Sequence, residues 1–216
     1  MTETQARGGG MPRINEPAPD FTALTTHGKK SLAEYRGKWL ILFSHPADFT
    51  PVCTTEFLGF AKRKAQFDAL GCELLGLSID SHYAHIAWVR SIKQAFDVDI
   101  AFPIIADLDM KVAQAYGMIQ PGASDTQAVR ATFLIDPEGI LRAMVYYPMT
   151  VGRQVDELVR LLMALQTADQ NKVALPENWR PGEPVIVPTP QTTDAAEARM
   201  AEGYHTVDWY FSTKDL

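Results

Sequence analysis

The sequence is poor in cysteine, with two in 216 residues, Cys53 and Cys72. Two thiols in unlike surroundings cannot build a disulfide framework, which excludes a stapled secreted scaffold and makes a reducing cytoplasm the expected setting. The second thiol of a Cys-x-x-Cys pair is also missing, because Glu56 holds its place, so dithiol–disulfide exchange is disfavoured. There is no excess of basic charge. Twenty Lys and Arg face 26 Asp and Glu, a net charge of −6, which leaves no electrostatic footprint for nucleic acid or an anionic membrane. No apolar run is long enough to span a bilayer. Met1 to Gly10 is polar and glycine-rich and lacks the apolar core of a secretory signal. Zinc-type ligand spacings are lacking apart from His82 and His85, a pair expected on one helix face as structural or solvent-facing. No metal site and no cofactor are therefore expected.

What remains is an ordinary globular composition, 46% apolar and 21% charged, with enough length for one well-buried core and an arm. The most informative stretch runs from His45 to Glu56. The apolar run Trp39 to Phe43 reads as a buried strand that empties into a short polar loop, and a helical pattern begins directly after it. Pro51 suits the first helical position. Thr50 then falls at the N-cap, where its hydroxyl is expected to satisfy an orphan backbone donor. Cys53 becomes the third helical residue, where a capping-box carboxylate would otherwise sit. Free N–H groups and the helix dipole favour negative charge there, and the thiolate is the nucleophilic form of cysteine. An arbitrary free cysteine is more often an inert, buried hydrophobe. Cys72, in the strand-like run Cys72 to Ile79, fits that description and is expected to be structural. Cys53, in a proline-bracketed polar turn, does not.

The remaining pattern alternates strands and helices. Residues around Phe21 to Leu24 and Lys29 to Leu32 suggest a small strand pair. After Cys53, one helix is expected to carry Phe57, Phe60, Phe67 and Leu70 on its apolar face and to stop at Gly71. A strand over Cys72 to Ile79 precedes a helix over His82 to Phe96, with Ile86, Val89 and Phe96 as its apolar residues. A short strand over Pro103 to Ala106 and a short helix over Met110 to Tyr116 follow. Asp136 to Gly139 is a strong turn signal between strands at Thr132 to Ile135 and Ile140 to Tyr147. Arg153 to Leu165 is amphipathic. The fold class is α/β, with a mixed central sheet flanked by helices. From Leu175 onward five prolines forbid a long helix or central strand, while Trp179, Tyr204, Trp209, Tyr210 and Phe211 supply apolar surface. Aromatics in a segment too irregular to make its own core are expected to pack on another surface. The expected organisation is a mobile tail over 1–12, a catalytic domain over 13–170 and an extended C-terminal arm over 171–216.

The spacing Pro46-x-x-x-Thr50-x-x-Cys53, within the longer string His45 to Glu56, resembles the active-site signature of the peroxiredoxins, in particular the one-cysteine type with long-armed archaeal and bacterial members. The similarity recurs in Gly76 to Ser81, Phe102 to Asp107, Val129 to Asp136 and Tyr146 to Arg153, covering roughly residues 12 to 212. The resemblance implies a thioredoxin-like fold and a thiol peroxidase that reduces hydrogen peroxide and alkyl hydroperoxides through a Cys53 sulfenic acid. It further implies that Thr50 and Arg130 bind the peroxide oxygens and the thiolate, that Pro46 shields the thiol, and that the arm reaches across a homodimer, with a decamer ring as the larger assembly. Glu56 beside a thiolate would oppose its ionisation unless paired with arginine, so Glu56 and Arg153 are read as orienting residues. His45 is an auxiliary base or donor.

The pattern departs from its relatives in two places. Lys38 and Leu40 occupy the serine and glycine positions of the lipase-like motif that some animal relatives carry, so phospholipase activity is not expected. Archaeal relatives carry cysteines in the arm where Thr206 and Ser212 stand here, and Ser212 reads equally as a native residue or as a replaced cysteine. With no resolving thiol in the arm, an external thiol is expected to recycle Cys53. A second reading, a ring-forming holdase switched by Cys53 chemistry, is separable from the peroxidase by turnover.

Overall fold

The computed structural model describes residues 11–216. The expected tail over 1–12 lies outside them except for Met11 and Pro12. The described residues divide into two compact units, 11–155 and Asp156–Leu216.

The first unit is built on a seven-stranded sheet. Its strands in chain order are β1 (Thr22–Thr25), β2 (Gly28–Ser31), β3 (Trp39–Ser44), β4 (Cys72–Ser78), β5 (Ile104–Ala106), β6 (Arg130–Ile135) and β7 (Leu141–Tyr147), and their spatial order is β2-β1-β5-β4-β3-β6-β7. β3, β4 and β5 run parallel, while β6 and β7 close one side antiparallel and β1 and β2 the other. The sheet is therefore mixed, as the alternating pattern and final hairpin require. β3 and β6 are buried along their whole length, as expected for the apolar run Trp39 to Phe43 of β3. Gly139 turns the β6–β7 hairpin with φ +74, a conformation open to glycine at little cost.

The helices of this unit are α1 (Pro51–Lys62), α2 (Lys64–Ala69), α3 (His82–Phe96) and α4 (Lys111–Ala115). The single helix expected after Cys53 is broken at Arg63, whose φ of −104 and ψ of 4 leave the α region. Arg63 N–H bonds to Phe60 O at 3.1 Å, a tighter turn than the helix ladder. Nothing in the sequence marks this break, since Arg, Lys and Ala are all good helix formers. Phe57, Phe60 and Phe67 are buried nonetheless, with Phe43 stacked on Phe60 at 4.0 Å. In α3 the buried face is His85, Trp88 and Ile92, while Ile86 and Phe96 are exposed. A histidine holds one of the core positions, which hid the true stripe from an apolar count.

The second unit holds α5 (Val155–Asn171), β8 (Val185–Ile186), α6 (Thr193–Arg199), β9 (His205–Asp208) and β10 (Phe211–Lys214), the strands ordered β8-β10-β9. α5, assigned from the sequence to the catalytic domain, lies in this unit apart from its first residue. Part of the arm packs against α5 within this unit. Ala164, Trp179 and Val185 cluster with Val173 and Leu175, and Trp179 Nε1 donates to Glu183 O at 3.0 Å. Trp179 thus packs within its own unit, whereas Tyr204, Trp209, Tyr210 and Phe211 stay exposed. Thr206 and Ser212 are cross-strand partners, and their hydroxyls lie 3.0 Å apart. No helix among the described residues is long and apolar enough to cross a membrane.

Candidate active site

β3 ends at Ser44, and the turn His45 to Thr50 leads into α1. Thr50 is the N-cap, with φ −107 and ψ 147, and Pro51 opens the helix, so Cys53 sits in the first turn. The Thr50 hydroxyl does not cap the helix. It donates back to Ala47 O at 2.9 Å, closing the turn on itself. The N–H groups of the first turn therefore go without that cap and keep their pull on negative charge. Cys53 is fully buried, and Pro46 is buried in the turn beside it in sequence.

Arg130 meets Cys53 and joins it to a cluster with Glu56, one turn further along α1, and Arg153, the two arginines coming from distant parts of the sequence. Arg130, at the start of β6, brings Nη1 to 3.4 Å from Cys53 Sγ and to 2.7 Å from Glu56 Oε2. Its Nε and Nη2 both donate to Met149 O, at 2.9 and 2.6 Å. Arg153 grips the same carboxylate. Its backbone N–H and Nε donate to Glu56 Oε1 and its Nη2 to Oε2, each at 2.8 Å. The remaining Nη1 is spent on Ala131 O at 2.9 Å and Thr132 Oγ1 at 3.2 Å, and the guanidinium lies 5.2 Å from the Phe43 ring centre. Burial pushes the Glu56 carboxyl up, but the charge and hydrogen bonds of Arg153, and then the charge of Arg130, hold it below the usual carboxylate range.

Glu56, Arg130 and Arg153 are all buried. One carboxylate against two guanidinium groups leaves the cluster one positive charge in excess. A thiolate at Cys53 would neutralise it, and at 3.4 Å the gross attraction is on the order of 5 kcal/mol for an effective dielectric near 20. The structure thus brings together Cys53, Glu56, Arg130 and Arg153. The Thr50 hydroxyl is turned to Ala47 rather than to the sulfur.

His45 belongs to a second buried group beside this one. Its Nε2 lies 2.8 Å from Asp48 Oδ1, and His85 Nδ1 lies 2.7 Å from Asp48 Oδ2. His85 Nε2 faces Ile105 O at 3.1 Å, so of the two places expected for His85 the buried, structural one is what it occupies. Burial drives the His45 imidazole below its ordinary range, outweighing the hydrogen bond and charge of Asp48. For Asp48, burial pushes upward, but the hydrogen bonds from His45 and His85 prevail and hold the carboxyl low. Asp48 lies within the His45 to Glu56 string and His85 in the His82–His85 pair, but nothing in either pattern links the two, and only their meeting in space marks them. The ligating atoms of His45, Asp48 and His85 lie within 4.8 Å of one another. At 2.7 to 2.8 Å, however, they are bonded to each other, whereas ligands on one tetrahedral zinc stand about 3.3 Å apart. The group is a hydrogen-bonded chain as it stands. A groove of about 400 Å³, lined among others by Phe49, Thr50, Leu58, Trp88 and Phe96, runs alongside.

A thioredoxin-like mixed sheet that carries one cysteine at a helix N-terminus, matched to a buried excess of arginine charge, defines a thiol-dependent oxidoreductase. Residues 14–144 match the AhpC/TSA family, and residues 164–203 match the C-terminal domain of 1-Cys peroxiredoxin. A peroxiredoxin of Aquifex aeolicus is 53% identical over 95% of this chain and 98% of its own length, and one of Methanosarcina mazei is 50% identical over 94% and 98%. Among solved structures, a yeast mitochondrial 1-Cys peroxiredoxin superposes with a TM-score of 0.84 at 38% identity, covering 95% of this chain and 100% of that one. A cysteine-to-serine mutant of peroxiredoxin 6 of Arenicola marina gives 0.83 at 32% identity, covering 94% and 98%. The chain belongs to the peroxiredoxins, of the one-cysteine type, and is a thiol peroxidase.

Proposed function

We propose that this peroxiredoxin reduces hydrogen peroxide and alkyl hydroperoxides in a reducing cytoplasm, through a sulfenic acid on Cys53 that an external thiol recycles. The observation that carries the reading is the contact of Arg130 Nη1 with Cys53 Sγ at 3.4 Å, within a buried cluster one positive charge in excess. The thiolate electron pair attacks the terminal peroxide oxygen and the O–O bond breaks. The leaving oxygen takes the bonding pair and a proton and departs as water or an alcohol, and Cys53 becomes the sulfenic acid. Charge that spreads over the stretched bond needs fixed donors, the role assigned to Arg130 and to the Thr50 hydroxyl once it turns from Ala47. Pro46 shields the thiol. Glu56 and Arg153 act by orienting Arg130, and His45 is auxiliary. The groove beside Thr50, with its exposed Phe49 and Phe96, suits the alkyl part of an organic hydroperoxide.

Recycling by an external thiol follows from what the chain offers. Cys72 is buried in β4 and paired in register with Trp39, and the arm has Thr206 and Ser212 at the cross-strand pair. One reductant thiol displaces water from the sulfenic acid to give a mixed disulfide, and a second releases the Cys53 thiolate. The exposed aromatics of the arm support a homodimer, with a decamer ring as the larger assembly. Turnover of hydrogen peroxide and cumene hydroperoxide with a small dithiol, compared between the wild type and Cys53→Ser, tests the activity. Equal consumption by both would overturn it. Sedimentation of the reduced protein tests the assembly, and a lone monomer would refute it.

A further inference from the structure

We propose that His85 is a positioning residue of the peroxide site: through Asp48 it fixes the tautomer of His45 and the turn that carries Pro46 and Thr50. The inference rests on the peroxidase reading of that turn. Its geometry is a chain of hydrogen bonds across three elements, β5, α3 and the turn before α1. Ile105 O, on β5, only accepts, so the His85 Nε2 that faces it at 3.1 Å carries a proton. His85 Nδ1, on α3, meets Asp48 Oδ2 at 2.7 Å; both ring nitrogens thus face oxygens, so a second proton lies in the Nδ1–Oδ2 contact, shared by the ring and the carboxyl group. The other carboxylate oxygen faces His45 Nε2 at 2.8 Å and, as an acceptor, requires the proton on that nitrogen. A neutral His45 is then left with a bare Nδ1, which is buried and has no hydrogen-bond partner among the described residues.

A buried, unpartnered acceptor is unfavourable, but moving the proton to Nδ1 would leave Nε2 bare against Asp48 Oδ1, two acceptors 2.8 Å apart. Asp48 removes that choice, and His85 removes the freedom of Asp48. Asp48 is also held by its backbone, whose N–H donates to Asp80 Oδ2 at 3.0 Å, and that same oxygen accepts Ser78 Oγ–H at 2.6 Å. The turn between these anchors includes Phe49 at φ +55. A bulky residue keeps such a conformation only where its surroundings over-determine it. The titratable groups facing the pair are His45, His85, Asp48 and Asp80, and all of them belong to this network.

Nitrogen-15 NMR of the reduced wild type near neutral pH, together with the second-order rate of Cys53 oxidation by hydrogen peroxide, tests the inference. The wild type is expected to show His45 protonated on Nε2 and bare on Nδ1. In His85→Leu, His45 is expected to populate both tautomers, and the rate to fall about tenfold or more, the scale on which small misplacements of reacting groups act. His85→Gln keeps a donor for Asp48 and should restore a single tautomer and most of the rate. A proton on Nδ1 in the wild type overturns the inference whether or not the leucine variant folds. So does a rate loss in either variant without a change of tautomer, or a changed tautomer with an unchanged rate. Cys53→Ser separates the two levels: if it still consumes peroxide, the peroxidase reading fails and the tautomer measurement stands by itself.

Discussion

Arg153 holds Glu56 through three hydrogen bonds of 2.8 Å, one from its backbone N–H and two from its guanidinium. The carboxylate so fixed presents Oε2 to Arg130 Nη1 at 2.7 Å, and that nitrogen also reaches the Cys53 sulfur. Glu56→Gln would leave two buried guanidinium groups without a countercharge. Unpairing a buried charge costs about 3–5 kcal/mol, so urea unfolding should show a loss of that order. Peroxide reactivity of the folded fraction should fall as well, because Arg130 loses the partner that aims it. A variant as stable as the wild type would show that the cluster does not depend on this carboxylate.

Arg130 uses its planar fork fully, with Nε and Nη2 on Met149 O and Nη1 shared between Glu56 and Cys53. Lysine supplies the charge but not the fork. Arg130→Lys should therefore lower kcat/KM for hydrogen peroxide by roughly a hundredfold or more, comparable with removal of one oxyanion donor. Steady-state assays with a small dithiol will measure it. Retention of more than half the activity would mean that charge alone suffices.

These contacts mark the boundary of what local sequence signals carry. Pro51 at the helix start, Gly71 at a positive φ after α2 and the Asp136 to Gly139 turn each act over a few residues and are readable from them. The N-cap position of Thr50 was readable too, but the partner of its hydroxyl was not, because Ala47 O competes with the helix N–H groups for the same side chain. The His45–Asp48–His85 chain joins residues 37 apart, and no periodicity encodes such a meeting. The surface that Trp179 packs on was hidden for a related reason: proline-rich composition predicts irregular backbone but says nothing of the small core that α5 and β8 provide.

Acid should destabilise the fold in two stages. His45 has its folded pKa pushed below the ordinary value, chiefly by burial. The unfolded chain therefore binds its proton first, and stability declines as pH drops below about 6.5. Asp48 and Glu56 are held below their ordinary range in the folded state, their hydrogen bonds and neighbouring charges outweighing burial. Their contribution is complete above about pH 4–5 and is lost as pH falls through the folded values. Urea midpoints from neutral pH down to about pH 2 should fall through both stages, and His45→Gln should flatten the upper part of the curve. An unchanged slope in that variant would assign the upper stage to another group.

Cys72 lies opposite Trp39 in the parallel β3–β4 register and is 2% exposed. Burial pushes its thiol far up from the ordinary cysteine value, so it stays protonated and is a poor nucleophile at neutral pH. If it takes no part in the cycle, Cys72→Ala should cost only packing, about 1–2 kcal/mol of stability for a small cavity, and leave dithiol-driven peroxide turnover within about twofold of wild type. Dimedone trapping after one equivalent of peroxide should label Cys53 in both proteins, as read by peptide mass. A strong loss of turnover in Cys72→Ala, or a Cys53–Cys72 disulfide in the oxidised wild type, would instead make Cys72 a resolving thiol. Reaching it would require the start of β4 to move, since Cys72 opens that strand, paired with Trp39 of β3, and is buried.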